Sequence, residues 1–271
     1  MKISTNLKAL GVATTMLTGF VLGGSVTAYA EEPESKGNGG SKDSYAIIKF
    51  EPSSESTPPR DPIQPGTEDP NTGKPVEPGP EDPTLPEGVD PLPGTPGPLS
   101  IDHASGLYFG IQEITSTDRI YKAKPQSFKN RPNKPEGPNY VQVTDGRGTE
   151  AGWSLQVKQN KQFESTKGKE LIGAEIRFTE GQVNTGSASP KPSIVKPSFA
   201  LKFNEDGEGV ADTIMSAKAE EGSGTYVLAF GNDDNAAETI ELFVPGSTTK
   251  YADEYKTTIT WTLTDVPGIA E

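Results

Sequence analysis

Residues 255–267 read YKTTITWTLTDVP and contain the clearest two-residue periodicity in the chain. Successive side chains of a β-strand point to opposite faces, so alternate residues share a face. One face would carry Thr258, Thr260, Thr262 and Thr264, and the other Tyr255, Thr257, Ile259, Trp261 and Leu263. The pattern predicts a β-strand in which a Trp-x-Leu triplet sets an indole and an isobutyl group side by side.

The same triplet occurs about a hundred residues earlier. Residues 143–157 read VTDGRGTEAGWSLQV, and both tryptophans of the chain stand first in a Trp-x-Leu triplet. An apolar strand face of this kind is usually buried in a core. The alternative is an exposed aromatic surface that stacks on glycan rings or receives a partner. The alternation alone leaves both interpretations open.

The surrounding sequence predicts many short strands separated by Gly, Pro, Asn and Asp turns. The candidates are residues 107–111, 140–143, 153–157, 175–179, 198–203, 225–230, 239–244 and 257–264. Only residues 210–221 could form a helix, and their apolar spacing is poor. We therefore expect residues 99–271 to form an all-β domain, an antiparallel β-sandwich or a barrel-like fold.

The chain begins with the features of an export signal. Lys2 and Lys8 precede an uncharged apolar stretch, and Ala28-Tyr29-Ala30 supplies the small residues of a cleavage site. Residues 1–30 are therefore predicted to be a signal peptide that is removed. Residues 31–51 form an N-terminal segment with one short strand over residues 45–50. That strand either docks on an edge of the C-terminal domain or belongs to a loose spacer.

Residues 52–98 are dominated by Pro, Glu, Asp, Gly and Thr, without an aromatic residue. A segment of this composition cannot bury enough apolar surface to offset its chain entropy. Its prolines favour an extended chain and its like charges repel one another. We expect a disordered, semi-rigid Pro-rich spacer, or an acidic tail without a reach function.

Together these features resemble the WxL-domain cell-surface proteins of low-GC Gram-positive bacteria. The resemblance rests on the two triplets in their contexts, on the Pro-rich spacer and on GPLSID at residues 97–102. It implies non-covalent attachment to peptidoglycan through residues 99–271. It also implies partners, namely other WxL proteins and a membrane-anchored WxL-interacting surface protein. The alternative function is that of a surface-complex or adhesin component that binds a protein partner or host matrix.

The candidate binding residues, for wall or partner, lie on the two motif strands and on the turn that precedes the first. They are Trp153, Leu155, Trp261, Leu263, Tyr255, Asp145 and Arg147. Asp145 and Arg147 either brace a Gly-rich turn or grip a stem-peptide carboxylate. A basic run is either a solvated loop or an electrostatic contact for an anionic wall polymer. It comprises Arg119, Lys122, Lys124, Lys129, Arg131 and Lys134.

Charge and composition argue against other classes of function. The formal net charge of −13 disfavours nucleic-acid binding, which needs clustered Lys and Arg. The chain has no cysteine and a single histidine, His103, so we expect no metal site, no cofactor and no catalytic residue. No span for a membrane is expected after signal cleavage. Residues 265–271 contain no sortase-type motif, so retention at a surface would be non-covalent.

Overall fold

The computed structural model describes residues 41–131 and 134–267. The predicted signal peptide lies outside these residues. The chain divides into two units, Met1–Lys49 and Phe50–Glu271. In the first, residues 41–49 have no regular secondary structure and their side chains are exposed, 94% for Ile47. Residues 45–50, where one short strand was predicted, contain no strand in the structure.

The second unit is built from antiparallel strands, and the described residues contain no helix. The strands are β1 (Leu99–Ala104), β2 (Arg119–Lys122), β3 (Gln126–Ser127), β4 (Glu136–Gly137), β5 (Tyr140–Asp145), β6 (Trp153–Gln159), β7 (Glu164–Ser165), β8 (Glu175–Phe178), β9 (Gly181–Thr185), β10 (Ile194–Val195), β11 (Phe199–Ala200), β12 (Asp212–Ala217), β13 (Gly224–Phe230), β14 (Ile240–Val244), β15 (Tyr255–Lys256) and β16 (Ile259–Thr264). The predicted all-β, antiparallel fold class is confirmed.

Three four-stranded sheets contain most of these strands. The first sheet has the order β1-β5-β13-β9, the second β10-β12-β6-β16 and the third β11-β8-β14-β2. Two-stranded pairs, β15-β7 and β3-β4, complete the arrangement. Neighbouring strands in each sheet are often distant in sequence, so the sheets are held together by long-range pairing rather than by successive hairpins.

Six of the predicted strands coincide with observed ones, namely those at residues 140–143, 153–157, 175–179, 225–230, 239–244 and 257–264. The strand predicted over residues 198–203 shortens to β11. Residues 107–111 form no strand, although Phe109 is buried in the core. Residues 210–221 contain β12 rather than a helix, since β6 and β10 pair with this segment on both sides.

The main core lies between the sheets and follows from alternation along the strands. In β13, Tyr226, Leu228 and Phe230 point into the main core. Val227 and Ala229, from the same strand, form a second small cluster with Phe128 and Tyr140. Side chains on both faces of the first sheet are therefore buried. The outer face must be covered by residues that do not belong to the main core.

That cover is part of the Pro-rich segment, residues 58–66, which we call the strap. The side chain of Gln142 on β5 accepts a hydrogen bond from the Arg60 backbone N–H at 2.6 Å and donates one to the Pro58 carbonyl at 3.1 Å. Asn184 on β9 donates to the Pro62 carbonyl at 2.8 Å. The sheet thus holds an extended chain through side-chain amides that bond to its backbone.

An ion-pair network fixes the strap at Asp61. The Arg131 guanidinium contacts Asp61 Oδ2 at 2.7 Å and Asp233 Oδ1 at 2.6 Å, and its side chain is 5% exposed. Burial raises the pKa of Asp61, but the hydrogen bonds from Arg131 and from the Gln64 and Ile63 N–H groups, with the charge of Arg131, together lower it below its usual value. Ionised Asp61 and Arg131 therefore join the strap to the β domain.

The chain beyond the strap also pairs with the domain. Residues 78–81 run beside β3, with hydrogen bonds from Glu81 N to Ser127 O and from Lys129 N to Gly79 O, both 2.9 Å. Thr95 N donates to Ile101 O at 2.8 Å along the edge of β1. Residues 52–98 were expected to form a disordered spacer. In the structure, the part from residue 58 to residue 95 is instead hydrogen-bonded to the β domain. This segment has no apolar core of its own, and it is held instead by backbone hydrogen bonds and by the Asp61–Arg131 ion pair.

Candidate functional site

The two Trp-x-Leu strands are neighbours in the second sheet. β6 and β16 pair antiparallel, with Leu263 opposite Leu155 and Trp261 opposite Val157. Directly paired residues lie on the same face of a sheet. Both triplets therefore present their tryptophan and leucine to one face, and this is the face that packs on the main core.

Trp153 and Leu155 are core residues with no solvent exposure. The Trp153 indole Nε1 donates a hydrogen bond of 2.9 Å to the Gly222 carbonyl, and its ring centroid lies 6.2 Å from that of Tyr226. Gly222 has a φ of +76°, and a Cβ there would lie 2.6 Å from the indole nitrogen. The indole thus sits in a pocket that requires glycine as its neighbour.

Trp261 and Leu263 are only partly buried, because β16 is the edge strand of its sheet. The Trp261 ring packs edge-to-face on Phe178, with 6.4 Å between centroids. Tyr255, on β15, is also partly buried, and its hydroxyl accepts a hydrogen bond from Tyr251 N at 2.9 Å. Of the aromatic candidate residues, Trp261 and Tyr255 are the two that solvent reaches.

Asp145 and Arg147 contact each other and the chain around them. Arg147 Nε and Nη2 donate to the two carboxylate oxygens of Asp145 at 3.0 and 2.8 Å, and Nη2 also donates to Gly152 O at 2.7 Å. The Asp145 hydrogen bond raises the pKa of Arg147. This geometry braces the turn before Trp153, and it favours bracing over the alternative of gripping a ligand carboxylate. Ligand contact by any of the seven candidate residues stays a prediction.

The opposite face of the motif strands points outward and carries hydroxyl and amide side chains. We call it the hydroxyl face; it comprises Ser154, Gln156 and Lys158 of β6, Thr260, Thr262 and Thr264 of β16, and Thr213 of β12. Thr262 is exposed, and Thr260, Thr264, Gln156, Lys158 and Thr213 are partly exposed. Ser154 is buried, and its hydroxyl donates to the Val266 carbonyl at 2.8 Å, so the face is closed at that end. The sequence signal for it was the threonine alternation, which predicted the face without suggesting a role.

A β-bulge in β12 extends the hydroxyl face across a third strand. The register shifts between Thr213 and Met215, so Thr213 lies opposite Gln156 and Ser216 opposite Ser154. Residues three apart would otherwise point to opposite faces. Gln156 Nε2 donates to Thr213 Oγ1 at 3.1 Å, and the Ser154 and Ser216 hydroxyls are 3.0 Å apart. The polar face is thereby continuous from β16 to β12.

The basic run is largely neutralised by the chain's own acidic groups. Lys122 pairs with Glu238 and Glu241, Lys129 with Asp90, Arg131 with Asp61 and Asp233, and Lys134 with Asp233 and Asp234. The Lys124 ammonium lies 5.1 Å from the centre of the Tyr108 ring. Five of the six cations thus have internal partners, which favours the interpretation of a structural segment over a contact for an anionic polymer.

The single histidine belongs to a buried polar cluster beneath the Pro-rich segment. The His103 ring centroid is 4.5 Å from that of Tyr140, and its Nε2 is 3.5 Å from Ser105 Oγ. Burial lowers the pKa of His103 to about 4, against hydrogen bonding with Gln126 and the charge of Asp82. Burial also raises the pKa of neighbouring Asp102, although hydrogen bonds from Ser100, Thr144 and Gln142 oppose it. The Pro-rich segment bonds to Gln142 and Gln126 beside this cluster, so the buried cluster is part of the packing between segment and domain.

Stability is expected to rise with pH between about 4 and 6.5 because of His103. In this window the unfolded chain binds a proton that the folded chain does not, so acid favours unfolding. The contribution lost on reaching pH 4 is about 3 kcal/mol. Asp102 acts in the opposite sense. Because its pKa is raised in the folded chain, its contribution to the free energy of unfolding falls as pH rises. Urea unfolding of the wild type and of His103→Gln, at intervals from pH 4.5 to 7.5, measures the slope; equal slopes would contradict the assignment.

Two acidic turns, at residues 204–209 and 232–235, are closed by their own hydrogen bonds. Asn204 Oδ1 accepts from Asp206 N and Glu208 N, and Asn232 N donates to Asn235 Oδ1 at 2.7 Å. Within residues 41–131 and 134–267, no three His, Asp or Glu side chains are grouped to hold a metal ion. The same described part of the chain has no helix of the length and apolarity needed to cross a membrane.

Three antiparallel sheets around a core to which two adjacent Trp-x-Leu strands contribute define an all-β domain. The family model described as "WxL domain surface cell wall-binding" matches residues 37–267, most of the chain. The chain therefore belongs to this family of WxL domains, which are cell-surface binding domains. Its location is the extracellular cell surface and cell wall. No match is found among curated proteins or among solved structures.

Proposed function

We propose that this chain is attached non-covalently to the peptidoglycan of the Gram-positive wall through its β domain and performs no catalysis. The observation that carries the proposal is the match of residues 37–267 to a family of surface cell-wall-binding domains. The hydroxyl face adds a local reason, because it places uncharged hydrogen-bonding groups at the surface of the motif strands. Such groups suit a polymer rich in hydroxyl and amide groups.

Charge favours peptidoglycan over the anionic polymers of the wall. The chain carries a formal net charge of −13, and five cations of its basic run already have internal partners. A polyanion would meet net repulsion, whereas hydrogen bonding to the uncharged sugar units of peptidoglycan is little affected by the protein's charge. Other WxL proteins and a membrane-anchored surface protein are further partners that we propose on the family resemblance. Binding to a protein partner or host matrix, with only indirect wall contact, is the alternative.

The experiment is a pull-down of the chain lacking residues 1–30 with purified sacculi, before and after removal of covalently attached anionic polymer. We expect retention by both preparations and little loss between 0.1 and 0.5 M NaCl, because screening weakens charge pairs far more than neutral hydrogen bonds. Turnover of sacculi is followed by dye release in the same samples, and none is expected.

A heat-unfolded sample of the same chain is the control for adhesion of unfolded protein. Retention that disappears with the anionic polymer, or with moderate salt, would replace peptidoglycan by that polymer as the ligand. Absence of retention by either preparation would remove the proposal and leave the protein-partner alternative. Dye release would show that the chain is an enzyme.

A further inference from the structure

The family's motif strands have two faces, and the structure shows which of them a ligand can reach. The Trp-x-Leu face of β6 and β16 packs on the main core, with Trp153 and Leu155 fully buried. Ligand contact across the width of these strands must therefore come from the residues between the motif positions. On β16 those residues are Thr260, Thr262 and Thr264.

The hydroxyl face is repetitive and nearly uncharged. Strands in a sheet lie about 4.8 Å apart, and alternate residues along a strand are about 7 Å apart, so these side chains form a regular grid of donors and acceptors. Lys158 is the single charged side chain among the residues that define the face. No aromatic side chain belongs to it, so it offers many hydrogen bonds and no deep pocket.

The first sheet shows that a polar face of this kind can hold an extended chain. Its outer side carries Gln142 and Asn184, whose amides bond to the backbone of the strap at Pro58, Arg60 and Pro62. That face is occupied by the protein's own segment. The hydroxyl face of the second sheet is chemically similar, but Thr262, Lys158 and Gln156 keep solvent exposure. It is the open counterpart of an occupied face.

We propose that the hydroxyl face binds the glycan strands of peptidoglycan rather than its stem peptides. This deepens the proposed function and rests on it. A glycan strand is an extended, repeating chain of hydroxyl and acetamido groups, which matches a repeating grid of hydroxyl and amide side chains. Stem peptides carry ionic groups, and this face offers one cation to meet them. Each contact is weak, and repetition along the strand supplies the affinity.

The experiment compares the double variant Thr260→Val, Thr262→Val with the wild type. Valine keeps the shape and the β propensity of threonine while removing its hydroxyl. The probes are intact sacculi, glycan strands freed of stem peptides by an amidase, and the released stem peptides. The lactyl carboxylates that the amidase exposes on the glycan strands are capped as methylamides, so that the strands stay uncharged. We expect the double variant to bind sacculi and glycan strands about tenfold more weakly. Its melting temperature should fall only slightly, because Thr260→Val also removes the exposed hydrogen bonding between the Thr260 hydroxyl and the Asn160 amide. The matched control is Thr117→Val, Thr249→Val, at exposed positions outside the face, and it should bind like the wild type.

A second measurement needs no substitution. Lys158 lies within the hydroxyl face, whereas Lys256 lies outside it with its side chain 76% exposed. Glycan strands should protect Lys158, but not Lys256, from an amine-reactive label detected by mass spectrometry. Wild-type retention by sacculi together with full labelling of Lys158, undiminished binding of the double variant, or binding of stem peptides alone would overturn the glycan assignment and leave wall attachment intact. No retention of the wild type by sacculi would overturn both.

Discussion

Trp153→Ala is expected to lower the free energy of unfolding by about 3–5 kcal/mol, and Trp261→Ala by about 1–2 kcal/mol. The difference follows from burial, because Trp153 has no exposure whereas Trp261 stands on an edge strand. Trp153→Ala also leaves the Gly222 carbonyl without the indole N–H that donates to it at 2.9 Å. Urea unfolding at pH 7, followed by far-ultraviolet circular dichroism, measures both variants against the wild type.

The comparison also tests whether the tryptophans bind the wall. If both triplets serve the core and the hydroxyl face binds the ligand, then Trp261→Phe should retain sacculus binding while it remains folded. Equal destabilisation by the two alanine variants would contradict the burial assigned to Trp153. If a folded Trp261→Phe protein no longer binds sacculi, ligand binding would be assigned to Trp261 at the edge of the second sheet instead of to the hydroxyl face.

The alternation was sufficient to predict the strand at residues 259–264 and its two faces, because side-chain direction along a strand is a local property. It did not show that Tyr255 lies on a separate strand, β15, which pairs with β7. It could not predict that β16 pairs with β6, which lies about a hundred residues earlier. Such pairing depends on which partners fill the core, and no local pattern encodes it. This pairing determines where the motif side chains lie, since it places Leu263 opposite Leu155 and directs both triplets into the core.

Residues 210–221 show the opposite case, in which local sequence was a poor guide. Their apolar spacing fits neither a regular helix nor a regular strand, because β12 contains a bulge between Thr213 and Met215. A bulge shifts the two-residue alternation by one, so the sequence pattern breaks where the strand continues. The bulge brings Thr213 beside Gln156 on the hydroxyl face, which adds a third strand to the surface that we propose for binding.

The Pro-rich segment was predicted from its composition as free, and composition does describe its inability to form a core of its own. The interactions that hold residues 58–66 are supplied by other parts of the chain. Gln142 and Asn184 bond to its backbone, and Arg131 pairs with Asp61. Backbone bonds of this kind depend little on side-chain identity, so they leave almost no signal in the sequence of the segment they hold.

A chain that begins at Leu99, the boundary predicted from sequence, is expected to lack a cooperative unfolding transition, whereas one that begins at Phe50 should fold. Truncation at Leu99 removes the strap from the outer face of the first sheet. It leaves Gln142 without two backbone partners and Arg131 without Asp61. Removing one partner of a buried ion pair costs about 3–5 kcal/mol, which is much of the total stability of a typical domain. Differential scanning calorimetry of the two chains measures the transition.

A single substitution tests the contacts of the strap without changing the length of the chain. Asp61→Asn keeps every residue of the segment but removes the charge that pairs with Arg131, and about 2 kcal/mol of stability should be lost. Glu68→Gln, at an exposed position in the same segment, is the matched control and should leave stability unchanged. Because the pKa of Asp61 is lowered in the folded chain, its contribution is present above pH 3.8 and disappears as pH falls through the folded value. If the chain that begins at Leu99 unfolds with the same cooperative transition as the wild type, the domain begins at Leu99, as predicted from composition. The strap would then not be needed for stability.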